Sequence, residues 1–355
     1  MGGDGVMKVS LTDICDFQGG TQPPKDEWID QPAQGYVRML QIRDFTQSDK
    51  NYIEYVKDTG KLKICIEDDI LIGRYGASIG KILTGLAGAY NVAIVKTIPD
   101  EKVVSKKYLY WYLNSQYFQR FISNVGSRAA QAGFNKNDLG AAQIPLVDKE
   151  RQEEICEVLE KANKLISLRK QQLAKLDELI KALFVEIFGD PVSNPLHWKK
   201  VKLSELADIK IGPFGSLLHK EDYVTGGHPL VNPSHIISGK IIVDNDLTLT
   251  EGKYFELSAY HLKKNDVILG RRGEMGRCAV VNEEGLLCGT GSLLIRTNGT
   301  VTADYIQKII SFPTFKKTIE DMAVGQTMPN LNVPIVSNFM IIVPPLSVQK
   351  NYYDF

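Results

Sequence analysis

The segment GASIGKI, residues 76–82, is the nearest approach of this sequence to a nucleotide-binding loop. Such a loop needs GxxxxGK followed by Ser or Thr, because backbone amides surround a phosphate and the hydroxyl binds magnesium. Tyr75 occupies the first glycine position here, and Ile82 occupies the hydroxyl position. The sequence therefore argues against ATP binding at this segment.

Three further strings resemble sites for group transfer or cofactor binding. Transfer of a methyl group to adenine or cytosine needs an Asn/Asp-Pro-Pro-aromatic loop, and the strings that begin at Asn194 and Asn232 lack the second proline. The string GTGSLL, residues 289–294, lacks the third glycine of a dinucleotide fingerprint. We predict no catalytic residue and no bound cofactor in this chain.

Histidine and cysteine give no metal or nucleophile pattern. The histidines have neither metal nor triad spacing and are interpreted as surface or turn residues: His197, His219, His228, His235 and His261. The five cysteines include no CxxC and no His-Cys cluster, which argues against a zinc site and a disulfide framework. They are predicted to be buried or incidental thiols, and no metal ligand is predicted.

The sequence contains an internal repeat. The segment 67–97 returns as 264–297, with Asp69 over Asp266 and Gly73 over Gly270. The repeat extends to both sides, because 9–25 matches 201–220 and 141–155 matches 339–353. A chain of 355 residues can hold two domains of this size, each with its own core. A duplicated domain predicts two similar binding surfaces.

The segment between the repeats has a heptad pattern. Its apolar residues fall at alternating steps of four and three, interrupted at Arg169, which is typical of a coiled-coil seam: Ile155, Leu159, Ala162, Ile166, Leu173, Leu176, Ile180, Leu183 and Ile187. Asp148 can cap the start, and Gly189 with Pro191 can end the helix. We predict a helix of about 40 residues, or roughly 60 Å. Its seam needs a partner helix.

Each repeat has the pattern of a mixed, strand-rich domain. The apolar runs DDILIG and NDVILG predict strands that pair with NVAIVKT and SLLIRT. Helical spacing follows in 105–125 and in 303–322, where Pro313 interrupts it. The tails predict a polar loop and then a closing strand. The fold class is α+β, with domains at 1–147 and 191–346, the long helix at 148–190, and the start of a truncated second helix at 347–355.

Composition excludes several classes. Apolar residues make up 43% and charged residues 24%, which is an ordinary globular balance. We find no run long enough to span a membrane and no apolar signal-peptide core, so a cytoplasmic protein is expected. The formal net charge is +0, which suggests that a partner supplies part of any contact with phosphate.

These features together resemble the specificity subunit of a type I restriction-modification enzyme. The carrying segments are VSLTDICDFQGG and VKLSELADIKIG, then DILIGRYG and DVILGRRGEMG, then the closing IPL and VPP, with the heptad helix between them. The resemblance covers nearly the whole chain and implies two target recognition domains, each reading half of a bipartite double-stranded DNA sequence. It implies methyltransferase and restriction/translocase subunits as partners, with S-adenosylmethionine and ATP bound there. A full-length relative would add a second long helix, which is expected to be mostly missing here, so pairing of two chains through residues 148–188 is an expected assembly.

Side chains suited to DNA recognition cluster beside glycines. Arg and Lys suit guanine, Asn and Gln suit adenine, and small polar groups suit phosphate. In the first repeat the candidates are Thr21, Gln22, Lys25, Arg38, Gln41, Arg43, Arg74, Ser78, Lys81, Arg128, Gln131, Asn135 and Lys136. In the second repeat they are Ser216, Lys220, Asn232, Ser234, His235, Arg271, Arg272, Arg277, Gln326, Thr327, Asn330 and Asn332.

Several alternatives remain open at this stage. Arg74 and Arg271 are the leading contact residues, but each could instead pair with the nearby Asp69 or Asp266. The aromatic residues of 108–121 are assigned to helix packing rather than base stacking. The chain could also be a coiled-coil scaffold with two protein-binding domains, or the recognition chain of a smaller restriction-modification enzyme.

Overall fold

The computed structural model describes residues 7–47, 52–128, 133–214, 217–323 and 330–353, with backbone only at 126–128. The chain forms two compact units, residues 1–171 (the first unit) and 172–355 (the second unit). The division falls inside one continuous helix.

The first unit holds eleven strands within its described residues: β1 Met7–Ser10, β2 Cys15–Gly19, β3 Trp28–Ile29, β4 Tyr36–Leu40, β5 Tyr55–Lys57, β6 Ile64–Cys65, β7 Leu71–Gly73, β8 Ile82–Leu83, β9 Gly88–Tyr90, β10 Ile94–Pro99 and β11 Gln143–Leu146. Its helices are α1 Leu11–Ile14, α2 Ile42–Thr46, α3 Lys106–Asn114, α4 Gln116–Arg128, α5 Lys136–Gly140 and the start of α6 Lys149–Phe188.

The strands of the first unit form three sheets. Their orders are β1-β11, β2-β10-β7-β8 and β3-β5-β4-β9-β6. The predicted pairing of DDILIG with NVAIVKT is confirmed, since β7 and β10 are antiparallel with Gly73 opposite Ile94. In the third sheet β4 and β9 run parallel, and their last residues, Leu40 and Tyr90, lie opposite each other.

The second unit repeats this plan. Its strands are β12 Lys200–Lys202, β13 Ala207–Ile211, β14 Tyr223–Val224, β15 His228–Val231, β16 Ile236–Ile237, β17 Lys240–Ile241, β18 Thr248–Leu249, β19 Asp266–Gly270, β20 Cys278–Val280, β21 Leu287–Cys288, β22 Ser292–Thr297 and β23 Met340–Ile342. Its helices are α7 Leu203–Leu206, α8 Glu251–Glu256, α9 Ala303–Ser311, α10 Pro313–Met322, α11 Val333–Ser337 and α12 Leu346–Tyr353.

The two units share their sheet topology. The order β13-β22-β19-β20 matches β2-β10-β7-β8, and the terminal pair β12-β23 matches β1-β11. The parallel pair β15-β21 corresponds to β4-β9. The expected α+β class with two homologous domains and a long joining helix is therefore confirmed.

The cores form where the sequence pattern places apolar residues. In the first unit, α3 and α4 pack Tyr108, Tyr112 and Phe118 onto the sheet, so their assignment to helix packing is confirmed. In the second unit, α9 and α10 bury Tyr305 and Phe315 in the corresponding core. Pro313 begins α10 because proline lacks the amide hydrogen that the first turn leaves unpaired.

The tails differ from the sequence prediction in one respect. A short helix precedes each closing strand where only a polar loop was expected. Asn135 accepts a hydrogen bond from the Asp138 backbone amide at 3.0 Å to cap α5, and Asn332 accepts one from Ile335 at 2.9 Å to cap α11. These segments are too short for periodicity to reveal them, although the side-chain caps favour a helix start.

The long helix α6 has the predicted ends. The Arg151 backbone amide donates to the Asp148 carboxylate at 2.8 Å, so Asp148 caps the helix. Gly189 adopts φ 75°, which ends the helix at low steric cost. No helix in the described part of the chain is long and apolar enough to cross a membrane.

Candidate nucleic-acid interface

Three loops of the first unit meet at the segment after β9. The Thr21 amide donates to the Tyr90 carbonyl at 3.0 Å, the Asn91 amide to the Leu40 carbonyl at 3.2 Å, and the Arg74 amide to the Ala93 carbonyl at 2.8 Å. We call this meeting of the ends of β2, β4, β7 and β9 the first junction. It brings Thr21, Gln41 and Arg74 together from separate parts of the sequence.

The first junction requires glycine at its tightest point. A Cβ at Gly20 would lie 2.1 Å from the Asn91 carbonyl oxygen, which no larger residue can tolerate. The side chain of Arg74 turns toward the closing loop, where its Nε donates to the Phe134 carbonyl at 2.9 Å. Its guanidinium also lies 5.0 Å from the ring centroid of Tyr75.

The second unit builds the same arrangement, which we call the second junction. The Gly289 amide donates to the Val231 carbonyl at 2.9 Å, and the Arg271 amide to the Gly291 carbonyl at 3.0 Å. Arg271 Nε donates to the Leu331 carbonyl at 3.1 Å, as Arg74 does to Phe134. Asn232, which follows β15, corresponds to Gln41.

The two arginines do not pair with the nearby aspartates. Asp69 instead contacts Lys96 at 3.0 Å, and Asp266 contacts Arg296 at 2.7 Å. The alternative that Arg74 and Arg271 are held by those carboxylates is therefore wrong. In each arginine Nε donates to a backbone carbonyl. The terminal amino groups make no hydrogen bond within the described ranges.

A buried carboxylate gathers three candidate residues of the first unit. Glu54 is 5% exposed, and one carboxylate oxygen accepts from Gln41 Nε2 at 2.6 Å and from Arg43. The other oxygen accepts from Lys25. We call these four residues the Glu54 cluster.

Aromatic rings flank this cluster. Lys25 Nζ lies 3.9 Å from the ring centroid of Trp28, and the Arg43 guanidinium lies 4.6 Å from that of Tyr52. Such cation–π contacts restrain long side chains that remain partly exposed to solvent.

Other first-unit candidates have more local roles. Arg38 pairs with Asp44 at 3.0 Å, and Lys136 pairs with Asp16, which lowers the pKa of that carboxyl. The side chain of Asn135 is used as the cap of α5.

Gln22 and Lys81 are exposed, and Ser78 is half-buried in a short turn. Only the backbone of Arg128 is described, and Gln131 lies outside the described residues.

The second unit presents its basic residues around the loop after β19. Arg272 is exposed, and Arg277 donates to the Pro233 carbonyl at 3.2 Å and to Glu274 at 3.1 Å. Lys316 and Arg277 lower the pKa of Glu274. Burial, with the charge of Arg272 beside it, lowers the pKa of Arg271.

The remaining second-unit candidates are spread more widely. Lys220 and Ser234 are exposed, Asn330 is half-buried, and the His235 ring is buried with Nδ1 2.9 Å from the Leu230 carbonyl. Asn332 caps α11 and is thereby occupied. Ser216, Gln326 and Thr327 lie outside the described residues.

Comparison with known proteins agrees with the duplicated junction. The family model of the type I restriction modification DNA specificity domain matches residues 3–178 and 195–355. The chain belongs to this family. Its two units are DNA specificity domains of a type I restriction-modification system.

Similar proteins cover the chain nearly end to end. The type I restriction enzyme MjaVIII specificity subunit of Methanocaldococcus jannaschii is 23% identical over an alignment 364 residues long, which covers 96% of this chain and 83% of that protein. The MjaIX specificity subunit of the same organism is 22% identical and covers 97% of this chain and 81% of that protein.

Among solved structures, the type I restriction-modification S subunit from M. genitalium has a TM-score of 0.55 at 16% identity. The match covers 99% of this chain and 89% of that one. A second structure, solved to explain complex assembly and conformational transition of the type I R-M system, has a TM-score of 0.57 at 15% identity. That match covers 97% of this chain and 87% of the other. These likenesses show the shared fold.

Sequence reasoning missed several residues that shape these specificity domains. Glu54 stands in the strand-like string NYIEYVKD, where an acidic residue inside an apolar pattern was the available signal. Asn91 was missed because its role depends on the Leu40 carbonyl, a backbone neighbour from another strand. Asp44 was missed although its partners are local, since it accepts from the Gln41 amide at 2.7 Å and pairs with Arg38. His228 and His261 stack on opposite faces of Tyr254 at centroid distances of 3.7 and 3.8 Å.

The helix residues divide into two groups. Ile155 packs on the first core, while Leu183 and Ile187 pack on the second core. The middle of the seam is between 36% and 63% exposed: Leu159, Ile166, Leu173, Leu176 and Ile180. A partner for this middle segment stays a prediction.

Proposed function

We propose that each specificity domain reads one half of a bipartite double-stranded DNA target and that α6 sets the gap between the halves. The observation that carries this proposal is the duplicated junction. Arg74 and Arg271 follow equivalent strands, make the same backbone and Nε hydrogen bonds, and keep their terminal amino groups outside those bonds.

The chemistry of the two junctions supports recognition of different half-sites. The first junction carries Gln41 and Arg43 after β4, whereas Asn232 and Ser234 follow the equivalent β15. Arginine suits guanine, and glutamine or asparagine suits adenine. Lysine and small polar groups near glycine turns suit phosphate, which positions the protein without reading bases.

We place catalysis on other chains. Methyl transfer and DNA cleavage are assigned to methyltransferase and restriction/translocase subunits, which would bind S-adenosylmethionine and ATP. The balance of 42 basic and 42 acidic residues supports sharing of the phosphate contacts with such partners. The exposed apolar middle of α6 offers a surface for assembly.

A domain exchange tests the proposal. Residues 1–147 are replaced by the corresponding domain of another specificity subunit, and the methylated sequences of the host are determined before and after. We expect one half of the target to change while the other half and the gap remain. A reciprocal exchange of residues 191–346 is the control. A change in both halves together, or in neither, would overturn the proposal.

Binding itself has a separate test that addresses the scaffold alternative. The complex is titrated with duplex DNA at increasing salt concentrations. For a DNA-binding assembly, log K for the duplex falls linearly as log salt concentration rises, because binding releases counterions from the phosphates. A protein-binding scaffold would not bind the duplex and would show no such salt dependence.

A further inference from the structure

We propose that Glu54 is a positioning residue that fixes Lys25, Gln41 and Arg43 for contact with the first half-site. The inference rests on the proposed function, and it assigns the discrimination made by the first domain to one buried carboxylate. Glu54 itself is too buried to touch DNA, so it acts through the three side chains that it holds.

Glu54 is fixed at its backbone before its side chain is considered. It directly precedes β5, and its carbonyl accepts a hydrogen bond from the Met39 amide of β4 at 2.8 Å. The carboxylate therefore occupies a defined place between two paired strands. Gln41 is the residue immediately after β4, so the position of the carboxylate also determines where the Gln41 side chain is held.

The held side chains remain available to solvent. The side chains of Lys25 and Arg43 are 66% and 39% exposed, while that of Glu54 is 6% exposed. A lysine ammonium has three N–H groups and a guanidinium has five, so one bond to Glu54 leaves donors on each. Two cations against one carboxylate also leave the cluster with one net positive charge. An acceptor-rich, negatively charged partner such as DNA fits this surface.

The second domain shows that the fold does not need a carboxylate here. The Leu230 amide donates to the Leu247 carbonyl at 3.3 Å, as the Met39 amide does to Glu54. Leu247 therefore stands at the position of Glu54. Its neighbours also differ, because Ser234 stands where the first domain has Arg43.

This comparison separates a recognition role from a structural one. A buried ion pair rarely stabilises a fold more than an apolar residue of similar size would. The apolar solution is present in the second domain of the same chain. The carboxylate in the first domain accordingly serves the geometry of its three partners, which fits a half-site that differs from the one read by the second domain.

The test uses Glu54→Leu, which copies the second domain, and Glu54→Asp, which keeps the charge but shortens its reach. Each variant is assembled with its methyltransferase partner after the target has been found from the methylated sequences of the host. Affinity is measured for four duplexes: the full target, the target with either half scrambled, and the target with both halves scrambled.

We expect Glu54→Leu to weaken binding of the full target by about tenfold to a hundredfold, as for the loss of one base contact. Scrambling the first half should then cost less than in the wild type, while scrambling the second half should cost the same. Affinity for the doubly scrambled duplex should be unchanged or higher, since a negative charge has been removed. Glu54→Asp should likewise reduce the loss of affinity that scrambling the first half causes.

Two results would overturn the inference. A uniform loss for all four duplexes would indicate a merely structural role, and unchanged discrimination in both variants would remove any role. If scrambling either half does not weaken binding by the wild-type protein, the proposed function fails instead. Glu54→Asp keeps the test decisive if Glu54→Leu does not fold.

Discussion

Gln152 accepts a hydrogen bond from the Ser105 backbone amide at 2.9 Å and thereby ties the start of α6 to the start of α3. Its amide group donates to the Val103 and Val147 carbonyls, both at 2.9 Å. In the second unit Gln349 accepts from the Thr302 amide at 3.0 Å and donates to the Pro344 carbonyl at 2.9 Å. One buried glutamine fastens the closing helix in each repeat.

Replacement of Gln152 by Ala should therefore destabilise the first unit. It leaves three partly buried backbone groups without this partner, and each such group costs about 1 kcal/mol, at the low end of the range for buried groups. We expect the free energy of unfolding to fall by about 3 kcal/mol, measured by urea denaturation. Glu153→Ala on the next, exposed position of α6 is the matched control and should change it by less than about 0.5 kcal/mol. Equal effects of the two variants would contradict this role of Gln152.

The ion pair between the buried Asp266 and the partly exposed Arg296 gives a second stability prediction. Asp266, with a side chain 2% exposed, binds Arg296 through two bonds of 2.8 and 2.7 Å and accepts the Lys263 amide at 2.7 Å. Asp266→Ala should lower the free energy of unfolding by about 3 kcal/mol, because it removes two charge-assisted hydrogen bonds and leaves the Lys263 amide without its acceptor.

Asp208 supplies the control for that experiment. It lies opposite Arg296 on β13 but is largely exposed, with Lys210 at 3.6 Å. Asp208→Ala should change stability by less than about 1 kcal/mol, as is usual for exposed pairs. A large loss from Asp208→Ala, or none from Asp266→Ala, would show that burial does not govern these pairs.

The repeat and the long helix could be predicted from the sequence, because both depend on the spacing of residues along the chain and not on tertiary contacts. Heptad spacing located α6, and the interruption expected at Pro313 is the break between α9 and α10. The Glu54 cluster could not be found in this way, since its four residues come from three separate segments of the sequence. The match of Glu54 with Leu247 also needs the strand register of β4 and β15, which loops of unequal length conceal in the sequence.

The thiols give a prediction about pH and reactivity. All five cysteines are buried, and burial raises the pKa of Cys15 and of Cys278 to about 12. Because the thiolate is the reactive form, maleimide at pH 8 should label them only as fast as the chain unfolds. Labelling within seconds under native conditions would contradict their burial.

The same shifts affect stability at high pH. A thiol whose pKa is raised in the folded state contributes stability below its unfolded pKa of about 8.5. That contribution is lost as the pH rises from there toward the folded value. Urea denaturation at pH 7 and pH 10 should therefore show lower stability at pH 10, and Cys15→Ser with Cys278→Ser should reduce the difference.

The exposed seam predicts pairing of helices. Burying a Leu or Ile side chain stabilises an assembly by roughly 1.5–3 kcal/mol, and the seam between Leu159 and Ile180 presents five such residues. We expect two chains to pair through α6 when no other subunit covers it. Replacement of Leu159, Ile166, Leu173 and Ile180 by Asp should yield monomers by light scattering, with both domains still folded. A wild-type chain that is monomeric at micromolar concentration without partners would contradict this pairing.

The length of α6 should determine the gap between the half-sites. Seven residues inserted near Arg169 preserve the heptad phase and lengthen the helix by about 10 Å, which corresponds to roughly three base pairs of DNA. With the partner helix lengthened to match, methylated-sequence analysis should report a wider gap and unchanged half-sites. An insertion of five residues is the control, because it breaks the heptad phase and should abolish methylation. An unchanged gap after the seven-residue insertion would mean that another part of the assembly sets the spacing.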